Sequence, residues 1–388
     1  MTHDVARARL HVIVRHISVF PATDRVIRQE GQAVRLFLHV VLTALVLSVP
    51  LRAATAGPAL LFDPSNGMVL YEEDMDQQWH PASLTKIMTA YLVFQDLRAG
   101  KIKMDTKITN TELAYKQPPS KIGLPVGAQL RIETALKALI IKSANDVAVM
   151  IAEALGPSHD RFIARMNATA KRLGMTRTRF VNPNGLPAKA QVTTARDLAK
   201  LSRAVVNEFP EHASFWSTPS FRLGKVRLRS YNSLLRTFDG ADGLKTGFIC
   251  DSGFNIVASA QRDGRRLMAI VLGEPSGADR KIRAASLLEH GFQQYGWKTF
   301  FNTNRVDNMP MAATPKSVRS VRHTVTSYAC GNRRSAQKLK RLKAIAKAKR
   351  ARRLGLASSK PKPAKKKTPA TKPKLKPTAS VRPPVRAN

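Results

Sequence analysis

Apolar runs with strand character sit at both ends of the region 59–292, and the stretch between them has helical period. Ala59-Leu-Leu-Phe-Asp63 and Met68-Val-Leu-Tyr-Glu72 flank Pro64-Ser-Asn-Gly67, a pattern that predicts a β-hairpin with a glycine-containing turn. Strand character returns at 220–229, 243–248, 253–260 and 266–272, with Gln261-Arg-Asp-Gly264 turning the chain between the last two. Helical spacing covers 83–97, 132–141, 147–155, 161–173, 194–209 and 282–292, with Thr193 or Thr194 as the cap of the fifth. A chain ordered in this way assembles one antiparallel sheet from its two ends and holds the intervening helices beside it. The expected class is α+β, an antiparallel sheet with flanking helices plus a helical lobe.

The flanks have a different character. Leu36 to Val49 is an apolar run of fourteen, preceded by Arg35 and followed by Ala54-Thr55-Ala56, as in a secretory signal peptide. The run is short of the roughly 20 residues that span a bilayer. Export to the periplasm is the expectation, with a retained anchor as the alternative; the roughly 35 residues upstream are long for an n-region, which points to a later start codon. The formal charge is +39, and residues 314–388 hold 24 Lys and Arg with no Asp or Glu, leaving +15 on the rest. Residues 361–388 alternate Lys, Pro, Ala and Thr, a composition that cannot bury a core and is expected to be disordered. Residues 333–354 can form a cationic helix with Leu339, Leu342 and Ile345 as a thin apolar line. The expected organisation is an N-terminal extension and signal over 1–56, a catalytic domain over 57–307 and a basic low-complexity tail over 308–388. The tail is expected to contact anionic lipid head groups or wall polymers by charge. It suits nucleic acid only in a cytoplasmic chain, which the signal argues against. Cys250 and Cys330 are the two cysteines. An exported protein permits one disulfide, and the sequence leaves that state and two free thiols both open.

The chemistry concentrates at His80-Pro81-Ala82-Ser83-Leu84-Thr85-Lys86. Residues three apart on a helix share a face, with Cβ atoms roughly 5–6 Å apart, so a lysine amine reaches the serine hydroxyl. Serine needs a neighbouring base to become a nucleophile. Lysine is that base only where burial and nearby positive charge lower its pKa. Ser143-Ala-Asn145 follows at a junction between helices, and Lys245-Thr246-Gly247 lies on a predicted strand. This trio, in this order, is the pattern of penicillin-reactive serine acyl-transfer enzymes. His80, His159, His212 and His290 show no ligand spacing, so neither a metal nor another cofactor is expected.

On Pro81-Ala-Ser-Leu-Thr-Lys86, Ile141-Lys-Ser-Ala-Asn-Asp146, Asn182-Pro-Asn-Gly-Leu186, Asp242-Gly-Leu-Lys-Thr-Gly247 and Gly253-Phe-Asn-Ile-Val-Ala-Ser-Ala260, the sequence resembles the D-alanyl-D-alanine carboxypeptidases, low-molecular-mass penicillin-binding proteins. The resemblance runs from about Ala59 to Phe292. It implies a β-lactamase/transpeptidase-like fold, peptidoglycan stem pentapeptides as substrate and β-lactams as covalent inhibitors. It makes Ser83 the nucleophile, Lys86 the general base and Ser143 a proton relay. Asn145 would hold substrate and Lys86, while Lys245, Thr246 and Arg280 would receive the terminal carboxylate. Gly247 would leave an edge strand open to the peptide, and the N–H groups of Ser83 and Phe248 would form the oxyanion hole. Phe248 stands where the family commonly has histidine, which leaves a main-chain donor intact and alters pocket shape. Asn182 and Gly185 are expected to shape a loop.

Competing readings differ in detail. A class A β-lactamase needs a loop glutamate, and 161–196 has no acid at all. A D,D-endopeptidase cutting cross-links shares the catalytic set. A transpeptidase lacks support because the accessory regions of large synthases are missing. A non-catalytic envelope-binding protein would work through the tail alone. Relatives often carry a β-rich second domain and a C-terminal amphipathic helix, whereas no strand alternation follows Phe292 here, so no second folded domain is expected.

Overall fold

The computed structural model describes residues 57–298, 302–327 and 330. The signal segment, the cationic stretch 333–354 and the Lys/Pro/Ala run 361–388 lie outside the described residues. The fold class is the expected α+β. β1 (Ala59–Phe62) and β2 (Val69–Glu73) form the N-terminal hairpin. A helical region follows, with α1 (Lys86–Arg98), α2 (Ile132–Lys137), α3 (Asn145–Leu155), α4 (His159–Arg172) and α5 (Ala195–Glu208). β3 (Lys107–Thr109) and β4 (Gln129–Arg131) are a small pair inside that region that the sequence pattern does not announce. The predicted 220–229 strand is two strands, β5 (Ser220–Leu223) and β6 (Val226–Arg229), because Gly224 reverses the chain in its middle. β7 (Ala241–Ile249), β8 (Gly253–Arg262) and β9 (Arg265–Glu274) complete the sheet, and α6 (Gly277–Lys298) closes it.

The sheet order is β2-β1-β9-β8-β7, antiparallel throughout, so the first hairpin joins the last three strands across β1 and β9. Both faces are covered. Leu60, Phe62, Leu244, Val257, Met268 and Ile270 pack on the helical region, while Ala59, Leu61, Ala258, Ala260, Ala269 and Val271 pack under α6. Successive strand residues point to opposite faces, so apolar residues at every position mark strands buried on both sides. β7 is left at the sheet edge, beside the Ala82–Thr85 turn that precedes α1. Thr194 is the cap of α5, accepting from the Asp197 N–H at 3.1 Å.

Residues 308–327, expected to belong to a basic tail, run along the body in the described structure. Arg196, buried and paired with Asp76, donates to the carbonyls of Val306, Met309 and Pro310. Gln77 donates to Ser317 O, Lys316 pairs with Asp74, and Arg322 pairs with Asp251. Two main-chain bonds, Val321 N–H to Asp251 O and Thr326 N–H to Pro275 O, each 3.0 Å, add to these side-chain partners, and the segment is held without any strand or helix period. Cys330 then forms a disulfide with Cys250 at the end of β7, closing a loop of 80 residues in sequence. Such a crosslink constrains the unfolded chain. Cys330→Ser is expected to lower unfolding free energy by about 2–4 kcal/mol, measured as a fall in the urea midpoint; an unchanged midpoint contradicts it.

Candidate active site

Ser83 does not sit on the α-helix proper. It lies in the one-turn 3-10 helix Ala82–Thr85, entered through Ala82 at φ 49°, a left-handed conformation that costs a non-glycine residue energy. Lys86 opens α1 immediately after, and its Nζ lies 3.0 Å from Ser83 Oγ. Lys86 is completely buried. Its other partners are Asn145 Oδ1 at 2.8 Å and the Asn184 carbonyl at 2.6 Å. An ammonium has three donors and meets three acceptors here; a neutral amine has two donors and a lone pair. The two amide oxygens can only accept, so the lone pair of a neutral Lys86 falls to Ser83, the one partner with a proton to give. Burial first, and then the charge of Lys245, hold the Lys86 pKa well below its ordinary value, with Asp146 partly opposing.

Ser143 and Asn145 come from a distorted junction. α2 runs into a single π turn, Ala138–Lys142, and Ser143 exits it at φ 61°, left-handed. π turns of this sort re-aim side chains at functional sites. Asn145 is the first residue of α3, with Ala144 rather than Asn145 in the cap position. Its N–H donates to Ser120 O at 2.7 Å and its Nδ2 to Pro118 O at 2.9 Å, which turns Oδ1 toward Lys86. Asp146, also buried, accepts from the N–H groups of Ile122 and Gly123 and so orders the 118–123 loop that walls the cleft.

Lys245 points from β7 to the same place. Its Nζ donates to Ser143 Oγ at 2.9 Å and to Thr246 O at 2.9 Å. Burial and then the nearby Arg280 pull its pKa down to about 7. Arg280, itself pulled to about 10 by burial, leaves Nε without a partner; its guanidinium makes long hydrogen bonds of 3.5 and 3.4 Å to the carbonyls of Asn255 and Tyr231 and lies 5.8 Å from the Phe254 ring centroid. Among the described residues neither Lys245 nor Arg280 pairs with a carboxylate. Ser83, Ser143, Asn145, Thr246, Gly247, Phe248 and Arg280 all line one cleft of about 510 Å³. Two buried cations without counter-ions beside a cavity favour an anionic group in that cavity. Phe248 stacks on Phe254 with ring centroids 4.2 Å apart and forms an apolar wall. No cluster of three metal-ligating side chains occurs among the described residues.

Two glycines carry the close packing. A Cβ on Gly247 would lie 2.9 Å from Pro81 O and 3.1 Å from Ser83 N, so the strand edge and the serine turn touch through their backbones. Gly185, at φ +83°, is tighter still: a Cβ there would sit 1.8 Å from Ala82 O. Asn182 Oδ1 accepts from the Gly185 N–H at 2.7 Å, and Thr89 Oγ1 donates to Pro183 O at 2.7 Å. The 182–186 loop thus presses on the serine turn and delivers the Asn184 carbonyl to Lys86. Sequence reasoning passed over Asn184 because it acts through its main chain, where side-chain identity carries no signal. Asp146 stands out in the sequence only as the last residue of the Ile141–Asp146 stretch.

Residues 46–276 match the family model of D-alanyl-D-alanine carboxypeptidase, peptidase family S11. The chain is 37% identical over 241 residues to D-alanyl-D-alanine carboxypeptidase DacC of Escherichia coli, a match covering 60% of this chain and 60% of that relative's length. It superposes on penicillin binding protein 5 from Haemophilus influenzae with TM-score 0.60 and 32% identity, covering 62% of this chain and 71% of that one. Penicillin-binding protein D2 from Listeria monocytogenes, solved in a cefotaxime-bound form, gives TM-score 0.56 and 32% identity, covering 61% of this chain and 97% of that one.

Gly185→Ala is expected to displace the Ala82–Ser83 turn and slow acylation of Ser83 by roughly tenfold or more, since misplacing a reacting group by about 1 Å can cost on the order of a hundredfold. The rate of acylation by a reactive thioester measures it, and an unaltered rate contradicts the packing role.

Proposed function

The chain belongs to the D-alanyl-D-alanine carboxypeptidase family, and from that membership we propose that it removes the terminal D-alanine from peptidoglycan stem pentapeptides through an acyl-enzyme on Ser83. The observation that carries this reading is the pair of buried amines around two serine hydroxyls, Lys86 on Ser83 and Lys245 on Ser143. The terminal carboxylate binds Lys245, Thr246 and Arg280. Ser83 Oγ attacks the carbonyl between the two D-alanines as Lys86 Nζ takes the hydroxyl proton. The backbone N–H groups of Ser83 and Phe248 receive the oxyanion. As the C–N bond breaks, Ser143 Oγ, which accepts from Lys245, gives its proton to the leaving amine and takes up in its place the proton that Lys86 removed from Ser83, which leaves Lys86 neutral. Water, deprotonated by Lys86, then attacks the ester carbonyl, and Lys86 returns that proton to Ser83 Oγ as the ester bond breaks. A β-lactam enters the same sequence in place of the dipeptide and leaves Ser83 acylated.

Several features support the wider setting. The apolar segment 36–49 supports export to the periplasm, and the cations beyond 330 support contact with anionic lipid head groups or wall polymers. Each basic residue near such a surface is worth about 1 kcal/mol. Association with an envelope fraction is therefore expected to fall in high salt, and salt-insensitive association counts against the tail as its cause.

Fluorescent penicillin is expected to label the protein and to fail on Ser83→Ala; no label on the intact protein ends the proposal. Below the depressed pKa of Lys86 the base is protonated, so kcat/KM rises with pH on the acid side. Above about 7, Lys245 loses its charge in the free enzyme and carboxylate binding weakens, so kcat/KM declines. A bound carboxylate restores that charge, so the alkaline limb of kcat lies at higher pH than that of kcat/KM. Values of kcat/KM that keep climbing well past neutrality contradict the role of Lys245.

A further inference from the structure

The β5–β6 hairpin has a cationic face that the catalytic reading does not use. Ser220 pairs with Arg229, Phe221 with Leu228, Arg222 with Arg227 and Leu223 with Val226. Residues directly opposite in an antiparallel pair share a face, so Arg222, Arg227 and Arg229 lie on one side and Phe221, Leu223 and Leu228 on the other. Phe221 and Leu223 pack against the main core. The arginine side is therefore the outer one, and all three arginines are exposed, as is Lys225 at the turn. No Asp or Glu occurs from 212 to 238, and none of these four cations has an acidic partner among the described residues. Arg222 directly opposite Arg227 is a like-charge pair, an arrangement that destabilises a hairpin.

The hairpin is also placed at one particular end of the cleft. Its base closes through Ser230 N–H to Pro219 O at 2.9 Å, and the next residue, Tyr231, lines the cleft. The Tyr231 carbonyl accepts from Arg280, and its hydroxyl meets Lys142 Nζ at 3.4 Å. Arg229 and Arg227 follow Tyr231 back along β6 at intervals of about 7 Å. Cationic character thus continues from Lys245 and Arg280, where the C-terminal carboxylate sits in the proposed reaction, out over Lys142 to the arginine face. That is the side of the leaving group.

We propose that this face is an exosite for the acidic peptide beyond the scissile bond, and that the site accepts leaving groups longer than D-alanine. The inference rests on the carboxypeptidase reading of the cleft. In a cross-linked substrate the leaving group is a second stem peptide, which carries carboxylates of its own. The chemistry is unchanged and balanced: the amide C–N bond breaks, the acyl group passes to Ser83 Oγ, the amine of the second stem leaves with a proton, and water releases the acyl group. The arginines act only by holding that second stem through charge.

The test compares wild type with Arg222→Gln/Arg227→Gln/Arg229→Gln on a cross-linked muropeptide dimer and on a pentapeptide monomer. The triple variant is expected to lose roughly tenfold in kcat/KM on the dimer, an effect three exposed charge pairs together supply, and to keep its value on the monomer. Added salt is expected to narrow the dimer difference. Fluorescent penicillin acylation and the melting temperature check that the variant is folded. Equal losses on both substrates, an unchanged dimer rate, or a wild type that leaves the dimer intact while cutting the monomer each overturn the exosite. A wild type that cuts neither substrate overturns the carboxypeptidase reading instead. Loss of binding to anionic vesicles with normal dimer cleavage assigns the face to lipid and overturns the proposal.

Discussion

Two lysine amines are buried within one hydrogen-bonded cluster, and among the described residues neither forms an ion pair with a carboxylate, although the charge of Asp146 partly offsets the shift at Lys86. Burying an ammonium costs several kcal/mol even after relaxation. The cluster answers this by lowering both pKa values. A lowered pKa is what the proposed reaction asks of the amine beside Ser83, which has to accept a proton. Burial contributes the largest part for each, so the constraint is the dry packing around them more than their mutual repulsion.

That packing explains why so much local distortion gathers here. Ala82, which precedes Ser83, and Ser143 itself are both left-handed non-glycine residues. Gly185 and Gly247 bring two backbones against the serine turn where any side chain would collide. Each distortion costs on the order of 1–3 kcal/mol and survives only where surrounding structure enforces it. Here the enforcement comes from the sheet edge on one side, the 182–186 loop on another, and the Pro118 and Ser120 carbonyls that fix Asn145. The sheet itself spans both ends of the folded region through the β1–β9 pairing, so the position of Lys245 depends on a strand order the helices do not dictate.

Much of this was legible in the sequence, for reasons that differ by element. The long strands and helices announced themselves because their apolar residues keep a strict period over many positions. The α+β class followed from their order. Ser83, Lys86, Ser143, Asn145 and Lys245 were visible because side-chain type and spacing carry the signal. Three-residue strands such as β3 and β4 are too short to show a period. Gly224 sits inside an otherwise strand-like run, and only the pairing of Leu223 with Val226 marks it as a turn. The Cys250–Cys330 bond and the path of 308–327 depend on distances between remote segments, which spacing along the chain does not encode.

Lys245 also explains why the cleft prefers an anion. Lowering its pKa from 10.5 to about 7 means that the fold disfavours its charged form by roughly 5 kcal/mol. A carboxylate entering the cleft reverses part of that penalty, because an opposite charge a few ångströms away favours the ammonium. Arg280 contributes in the same sense, since its unpaired Nε gains a partner only when an acceptor arrives. The ligand-free site is therefore held in an unfavourable electrostatic state that an anionic ligand relieves. A neutral group of the same shape relieves none of it, so in the proposed reaction selectivity for a free carboxylate would come from the resting state of the protein itself.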